Sequence, residues 1–502
     1  MIITFGLLST FFALVVGILQ WSGIRDRTFA DYAVANRSFD ARFQAMSFLN
    51  TWYPGAIFTA FGGMAASVGV TSLYLLSYSL LTVVLMYLMA RPVWIWGKAF
   101  ALNTQPDLMA LRYNSRDVGT LSAVLGIVSG IPWLVLGMQA LGTLFQYLSL
   151  GTLSFSNSVI AGVGVITIRQ IWTVRMGMRG VVISDMVQGI AAYVGGTIIL
   201  VGLISWMVLA KGITFQSLDA RMFAIPGVGS KEGPLYLFSL ILTGAIGGWC
   251  WPVIFVRLFT ADSVRSLKKS AALAVPLSFT FAGALLVFGM LGSKVAGVPS
   301  HPDDVFFIVS QEAGGLWLLG LAGIVVLAAS MGNIDGHIQA TGAQIANDVV
   351  GQNLRLDQAQ LIVMAKSGML GVTLLSAWLA CLELPALFSI AILAYQGIVQ
   401  LAVPMFFGVF WKRGNKQGAM AGMIVGFALA VYLELIFPGY LPWAFGLTSG
   451  VVALIVNLVI YVAAAFLWPH SRDEQMRVDA LFALANGEPL LPVAEKTARK
   501  PA

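Results

Sequence analysis

The sequence predicts an all-α polytopic membrane protein of about 13 transmembrane helices, and three observations carry that expectation. Only 10% of the 502 residues are charged while 58% are hydrophobic; a soluble domain carries about 25% charged residues to solvate its surface. The apolar residues gather into runs of about 20, the length of helix that crosses a hydrocarbon core about 30 Å thick. The basic residues lie between these runs and, once the runs are threaded in order, fall on one side of the membrane.

The runs cover residues 2–22, 43–68, 70–97, 118–148, 154–172, 181–210, 235–258, 271–293, 315–347, 364–382, 384–410, 418–437 and 442–468. They are read as helices because lipid offers no partner to free backbone groups. The first, MIITFGLLSTFFALVVGILQW, has no basic segment and no small-residue cleavage site, so it reads as a retained helix. With the N-terminus outside, only Lys211, Arg221, Lys231 and Lys294 of the 29 Lys and Arg face outward. This asymmetry puts the C-terminus in the cytoplasm and the protein in a bacterial-type inner membrane. Residues 470–502 read as a polar cytoplasmic tail with no second domain.

Other classes find no support. The net charge of +7 is not gathered into a nucleic-acid stripe. Cys250 and Cys381 lie apart in apolar runs, and His301, His337 and His470 have no zinc spacing. The chain reads as neither an enzyme nor a cofactor protein. Its expected partners are a small-molecule solute and membrane lipid, with no nucleic acid.

Two runs are interrupted. The second contains Asn50-Thr51-Trp52-Tyr53-Pro54-Gly55, and the seventh contains Gly247-Gly248-Trp249-Cys250-Trp251-Pro252. Proline removes a helix hydrogen bond and glycine relaxes the backbone. The breaks are five runs apart, and an odd offset turns the second copy upside down. This predicts a 5+5 inverted-repeat core, 42–210 and 235–412. An extra helix and loop (1–41) precede it, and two C-terminal helices (413–469) follow. Paired discontinuous helices are the signature of a secondary transporter working by alternating access. A solute sensor signalling through a partner and an uncoupled facilitator are the rival readings.

Several segments carry a family resemblance: Ala35-Asn36-Arg37-Ser38-Phe39, TQPDLMALRY at 104–113, TVRMGMRGVVISDMVQG at 173–189, GGWCWPVIFVRLFTADS at 247–263 and FWKRGNKQGAMAGMIVG at 410–426. In order and spacing they resemble the sodium:solute symporter family. The resemblance implies a leucine-transporter-type fold and a cation-coupled solute importer. It also implies a sodium site made by the carbonyls of Asn50 and Tyr53 and two hydroxyls of a Met-Ser-Thr stretch. Here that stretch reads Met331-Gly332-Asn333-Ile334-Asp335, so both hydroxyls are replaced. The expected site is degenerate, with the Asn333 amide as a hard oxygen ligand. Restoring the hydroxyls by Gly332→Ser with Asn333→Thr is expected to strengthen sodium dependence. The segment 57–63 looks most like branches that carry small monocarboxylates.

The candidate cation-binding residues are therefore Asn50, Tyr53, Asp185, Gly332, Asn333 and Asp335, with Na+ or H+ as the coupling ion. Asp185 and Asp335 lie in apolar runs, where ionisable groups usually mark ion or proton pathways. His337 is two residues from Asp335, on a different helix face. The candidate solute-binding residues are Trp52, Tyr53, Trp249 and Trp251 at the breaks, with Tyr395 and Gln396 on the eleventh run. No basic side chain stands at the breaks, so helix N-termini would have to hold a carboxylate.

Overall fold

The computed structural model describes residues 1–23, 28–351, 354, 356–382 and 387–488, with the backbone alone at 387–391 and 393. The chain opens with α1 (Ile2–Ser22) and a short α2 (Phe29–Val34). The helices α3 (Ala41–Trp52) and α4 (Ala60–Val68) flank the first break. They are followed by α5 (Tyr74–Ala99), α6 (Gln105–Tyr113), α7 (Arg116–Leu148), α8 (Phe155–Gly189) and α9 (Gly196–Lys211). At the second break α10 (Tyr236–Gly247) meets α11 (Pro252–Phe255) and α12 (Arg257–Thr260). Beyond it come α13 (Val264–Gly292), α14 (Val305–Gln344), α15 (Gln358–Ala380), α16 (Leu387–Ile398), α17 (Ala402–Phe410), α18 (Lys416–Ile436), α19 (Ser449–Leu467) and α20 (Arg472–Asn486).

Among the described residues nine helical stretches are long and apolar enough to span a membrane, or ten if the pair bent by 60° at the second break is one span. The expected runs 154–172 and 181–210 lie within the stretch Phe155–Lys211 on either side of a kink at Gly177, φ 58° and ψ −146°. The run 43–68 divides into α3 and α4, and part of 384–410 lies outside the described residues.

The breaks form where the sequence places them. Tyr53 leaves the helix in an extended conformation, φ −101° and ψ 97°, and Pro54 follows at φ −68° and ψ 164°. At the second break Trp251 is extended at φ −67° and ψ 119°, and Pro252 opens α11 as its first residue, where its missing N–H is no loss. Gly55 is required by close approach, since a Cβ there would overlap the Ser330 hydroxyl of α14.

The long helix α14, kinked at Gly314 and Gly315, is the hub. Its side chains from Val325 to Gln344 are buried, packed among α1, α3, α7, α8 and α15. A π-turn at Ile190–Gly195 links α8 to α9 and carries Tyr193 inward; such turns recur at functional sites.

The tail departs from expectation, because its first part is a docked helix. Val478, Leu481 and Ala485 of α20 are buried at helical spacing. Arg477 donates from Nη1 to Leu111 O and from Nη2 to Arg112 O, each at 2.8 Å. These carbonyls belong to the last turn of α6, which lacks partners within its own helix. In return, Trp96 of α5 donates to Leu481 O (2.7 Å), and Arg91 donates to Ala485 O (2.8 Å). An apolar face and a set of helix ends to cap fold this polar segment onto the helical body.

Candidate functional site

At the first break a buried polar cluster forms between α3, α8, α12 and α14. Asp185 of α8 is its centre. Its Oδ2 accepts from Ser47 Oγ at 2.6 Å and from Arg257 Nη2 at 3.2 Å, and its Oδ1 accepts from Asn50 Nδ2 at 2.9 Å. Arg257 also donates to Thr51 Oγ1 at 2.7 Å. One turn away, Asp335 of α14 forms an ion pair with Arg169 of α8, and Arg169 donates to Ser184 Oγ at 2.5 Å. Buried charges persist only when paired in this way.

The expected cation residues meet here. Gly332 and Asn50 touch so closely that a Cβ on Gly332 would overlap the Asn50 amide and lie 2.9 Å from Asp185 Oδ1. Asn333 Nδ2 donates to Thr51 O at 2.7 Å, across the first break. Tyr53 O accepts from Tyr193 OH at 2.5 Å. Gly332 supplies no side-chain oxygen, and the room beside it is already filled. The amide oxygens of Asn50 and Asn333 are buried without hydrogen-bond partners. Unpaired buried oxygens of this kind are rare and suit a cation or proton donor.

The expected solute residues separate into two groups. Trp52 and Trp249 stack on either side of Phe48, with ring centroids 5.8 and 5.9 Å from it. Their indole N–H groups go to Ser79 Oγ (2.9 Å) and Thr82 O (2.8 Å). Tyr53 is buried, its hydroxyl on Ser278. These three do not line the cavity beside the breaks. That cavity is small, about 20 Å³ and so room for about one water; it is walled by Phe61, Tyr74, Tyr78 and Tyr395, with Thr243 and Gln396 as polar members. Trp251 stands behind Tyr395 at 5.4 Å and in front of His337 at 5.7 Å.

Gln396 is held in one orientation. Its Oε1 accepts the Gly450 N–H at 2.7 Å, at the start of α19. A main-chain N–H can only donate, so the amide cannot turn over. Its Nε2 is left buried with no partner.

Threading by charge puts Arg169 and Arg257 with the cytoplasmic loops, and the structure corrects this: both guanidinium groups are fully buried. Each has a carboxylate partner on another helix, a pairing that counting loop charges does not see. Ser47 and Tyr193 are further members of the cluster with no sequence signal of their own, and Gln188 belongs to the family-like segment 173–189. Arg169 did carry one, as a charge inside an apolar run.

Two interrupted helices around a buried charge cluster, with an aromatic cavity beside them, define a membrane transporter for a small solute. The chain belongs to the sodium:solute symporter family, whose model matches residues 32–426. The family comprises cation-coupled solute importers rather than enzymes. Among relatives, an uncharacterized symporter of Bacillus subtilis (strain 168), YhjB, is 23% identical over 483 residues, 93% of this chain and 96% of that one. A monocarboxylate transport permease protein of Rhizobium johnstonii is 22% identical over 449 residues, 84% of this chain and 88% of that one. The substrate-bound, outward-open structure of a Na+-coupled sialic acid symporter superposes with a TM-score of 0.77 at 14% identity, over 94% of this chain and 99% of that one. That likeness establishes a leucine-transporter-type fold.

Proposed function

We propose that the chain imports a small monocarboxylate by alternating access, and that the cavity between the broken helices widens to take the solute. The observation that carries this reading is the unpartnered Gln396 Nε2. A buried donor without an acceptor costs about 1–3 kcal/mol, and a solute oxygen placed there removes that cost. The tyrosine rings offer an apolar body a matching wall. The name of the Rhizobium johnstonii relative supports the same solute class. Trp251 backs the cavity wall, while Trp52, Tyr53 and Trp249 support the breaks from behind.

The coupling ion in this reading is a proton, with weak sodium dependence. Sodium needs several oxygen ligands at once, and Gly332 with its filled surroundings withdraws one position. The 13-span topology, the repeats 42–210 and 235–412, an outside N-terminus and a cytoplasmic C-terminus belong to the same proposal.

The test is counterflow in proteoliposomes with a panel of labelled monocarboxylates, with sodium and pH gradients then imposed separately. Gln396→Leu is expected to weaken apparent affinity about tenfold, the equivalent of one hydrogen bond. Wild-type affinity in that variant, or no counterflow with any member of the panel, would sink the reading.

A further inference from the structure

Four ionisable side chains at the centre of the helical body are 2% exposed or less: Arg169, Arg257, Asp185 and Asp335. They form two ion pairs, and the pairs are not equivalent. Asp185 is saturated by Asn50, Ser47 and Arg257. Asp335 meets only the Arg169 guanidinium, and its Oδ1 makes no hydrogen bond.

Arg169 has somewhere else to go. It already donates to Ser184 Oγ at 2.5 Å. The Gln188 amide lies between Arg169 and Asn50. In one orientation its oxygen accepts from Asn50 Nδ2 at 3.1 Å; in the other it accepts from Arg169 Nε and Nη2 at 3.3 and 3.2 Å. The guanidinium can therefore leave Asp335 and keep its hydrogen bonds. The carboxylate has no second donor, so it can lose its arginine only by taking up a cation. Asp335 offers one free oxygen, which is enough for a proton and too few for a metal ion that needs several.

We propose that Asp335 binds and releases the coupling proton, and that Arg169 is its displaceable counter-cation. This rests on the cation-coupled reading above. On the outward side a proton from water bonds to Asp335 Oδ1 and the Arg169–Asp335 pair opens. On the inward side the O–H bond breaks, the proton returns to water and the pair closes again. One proton enters with the solute, and no other reactant is required.

The charged groups facing this pair are Asp185 on α8 and Arg257 on α12, already bound to each other. His337 is turned toward Trp251. Of the other elements packed on α14, α1, α4 and α11 carry no charged residue, and α3, α7, α9 and α13 carry theirs only near their ends; α2 carries Asp31, and the turns at 190–195, 302–304 and 345–350 carry Tyr193, Asp303 with Asp304, and Asp348. Lys366 of α15 stands over the Tyr32 ring at 5.7 Å.

The decisive comparison uses the full-length protein in proteoliposomes, with a labelled monocarboxylate, and separates exchange from accumulation. Asp335→Asn is expected to retain counterflow but lose accumulation driven by an inward proton gradient, by about tenfold or more. Arg169→Gln should move half-maximal activation by acid to higher pH by about one unit, because a proton no longer has to displace a guanidinium. Asp335→Asn that accumulates solute like wild type overturns the proposal. Where a single variant does not fold, Arg169→Gln with Asp335→Asn removes both charges together and carries the same expectation. A wild type that follows sodium and ignores the pH gradient also overturns it. If the wild type exchanges no monocarboxylate, the solute reading fails instead. The proton inference is then decided by tryptophan fluorescence after an acid pH step. A change in wild type that is absent in Asp335→Asn supports it, and identical traces refute it.

Discussion

Asn50 and Gly332 act as a pair, and neither position makes sense without the other. The sequence shows a family hydroxyl replaced by glycine, which reads as a simple loss of a ligand. The structure shows the vacated room taken by the Asn50 amide, held there by Asp185. Restoring a serine at 332 therefore runs into Asn50. We expect Gly332→Ser alone to destabilise the protein by about 1–3 kcal/mol, the usual cost of overpacking. Adding Asn50→Ala should recover most of that loss, read as thermal unfolding in detergent. Equal melting of Gly332→Ser and wild type would show that the amide is free to move aside. The expectation that Gly332→Ser with Asn333→Thr strengthens sodium dependence gains this steric condition. Partner choices of this kind are invisible in a single sequence, because residues 50, 185 and 332 meet only after three helices pack.

The elements were largely legible, because both breaks are written in Pro and Gly and both form where they are written. What could not be read was which aromatic side chains at a break face a cavity. Trp52 and Trp249 look like cavity walls in the sequence, yet they sandwich Phe48 with their N–H groups satisfied elsewhere. Trp249→Ala is expected to lower stability by about 3–5 kcal/mol, as for other large core truncations. A variant that melts like wild type but binds solute weakly would return Trp249 to the cavity. The helix α20 leaves little trace in the sequence, because its buried face is short and its composition is polar. Arg477→Ala should leave the Leu111 and Arg112 carbonyls without their donor and loosen α20. Faster amide exchange across 472–486, with the membrane helices unchanged, is the expected signature; unaltered exchange would mean that apolar contacts alone hold it.

At the scale of the whole molecule, hydropathy and charge were enough for the class of fold, since both act over long stretches and are insensitive to packing. They fail at its centre, where Arg169 and Arg257 are buried against carboxylates from other helices. The orientation is open to direct test: reporter fusions after Lys416 and after Asn486 should read cytoplasmic, and one after Lys231 external. A periplasmic reading after Asn486 would break the proposed topology. The docking of α20 also says something about the order in which this molecule can be built. Carbonyls at 111 and 112 receive their donors from residue 477, near the other end of the described chain. A ribosome must therefore add 365 residues after Arg112 before this face of α6 is sealed. Until then a nascent or prematurely terminated chain shows that face uncovered, which gives a protease a simple way to tell finished copies from fragments.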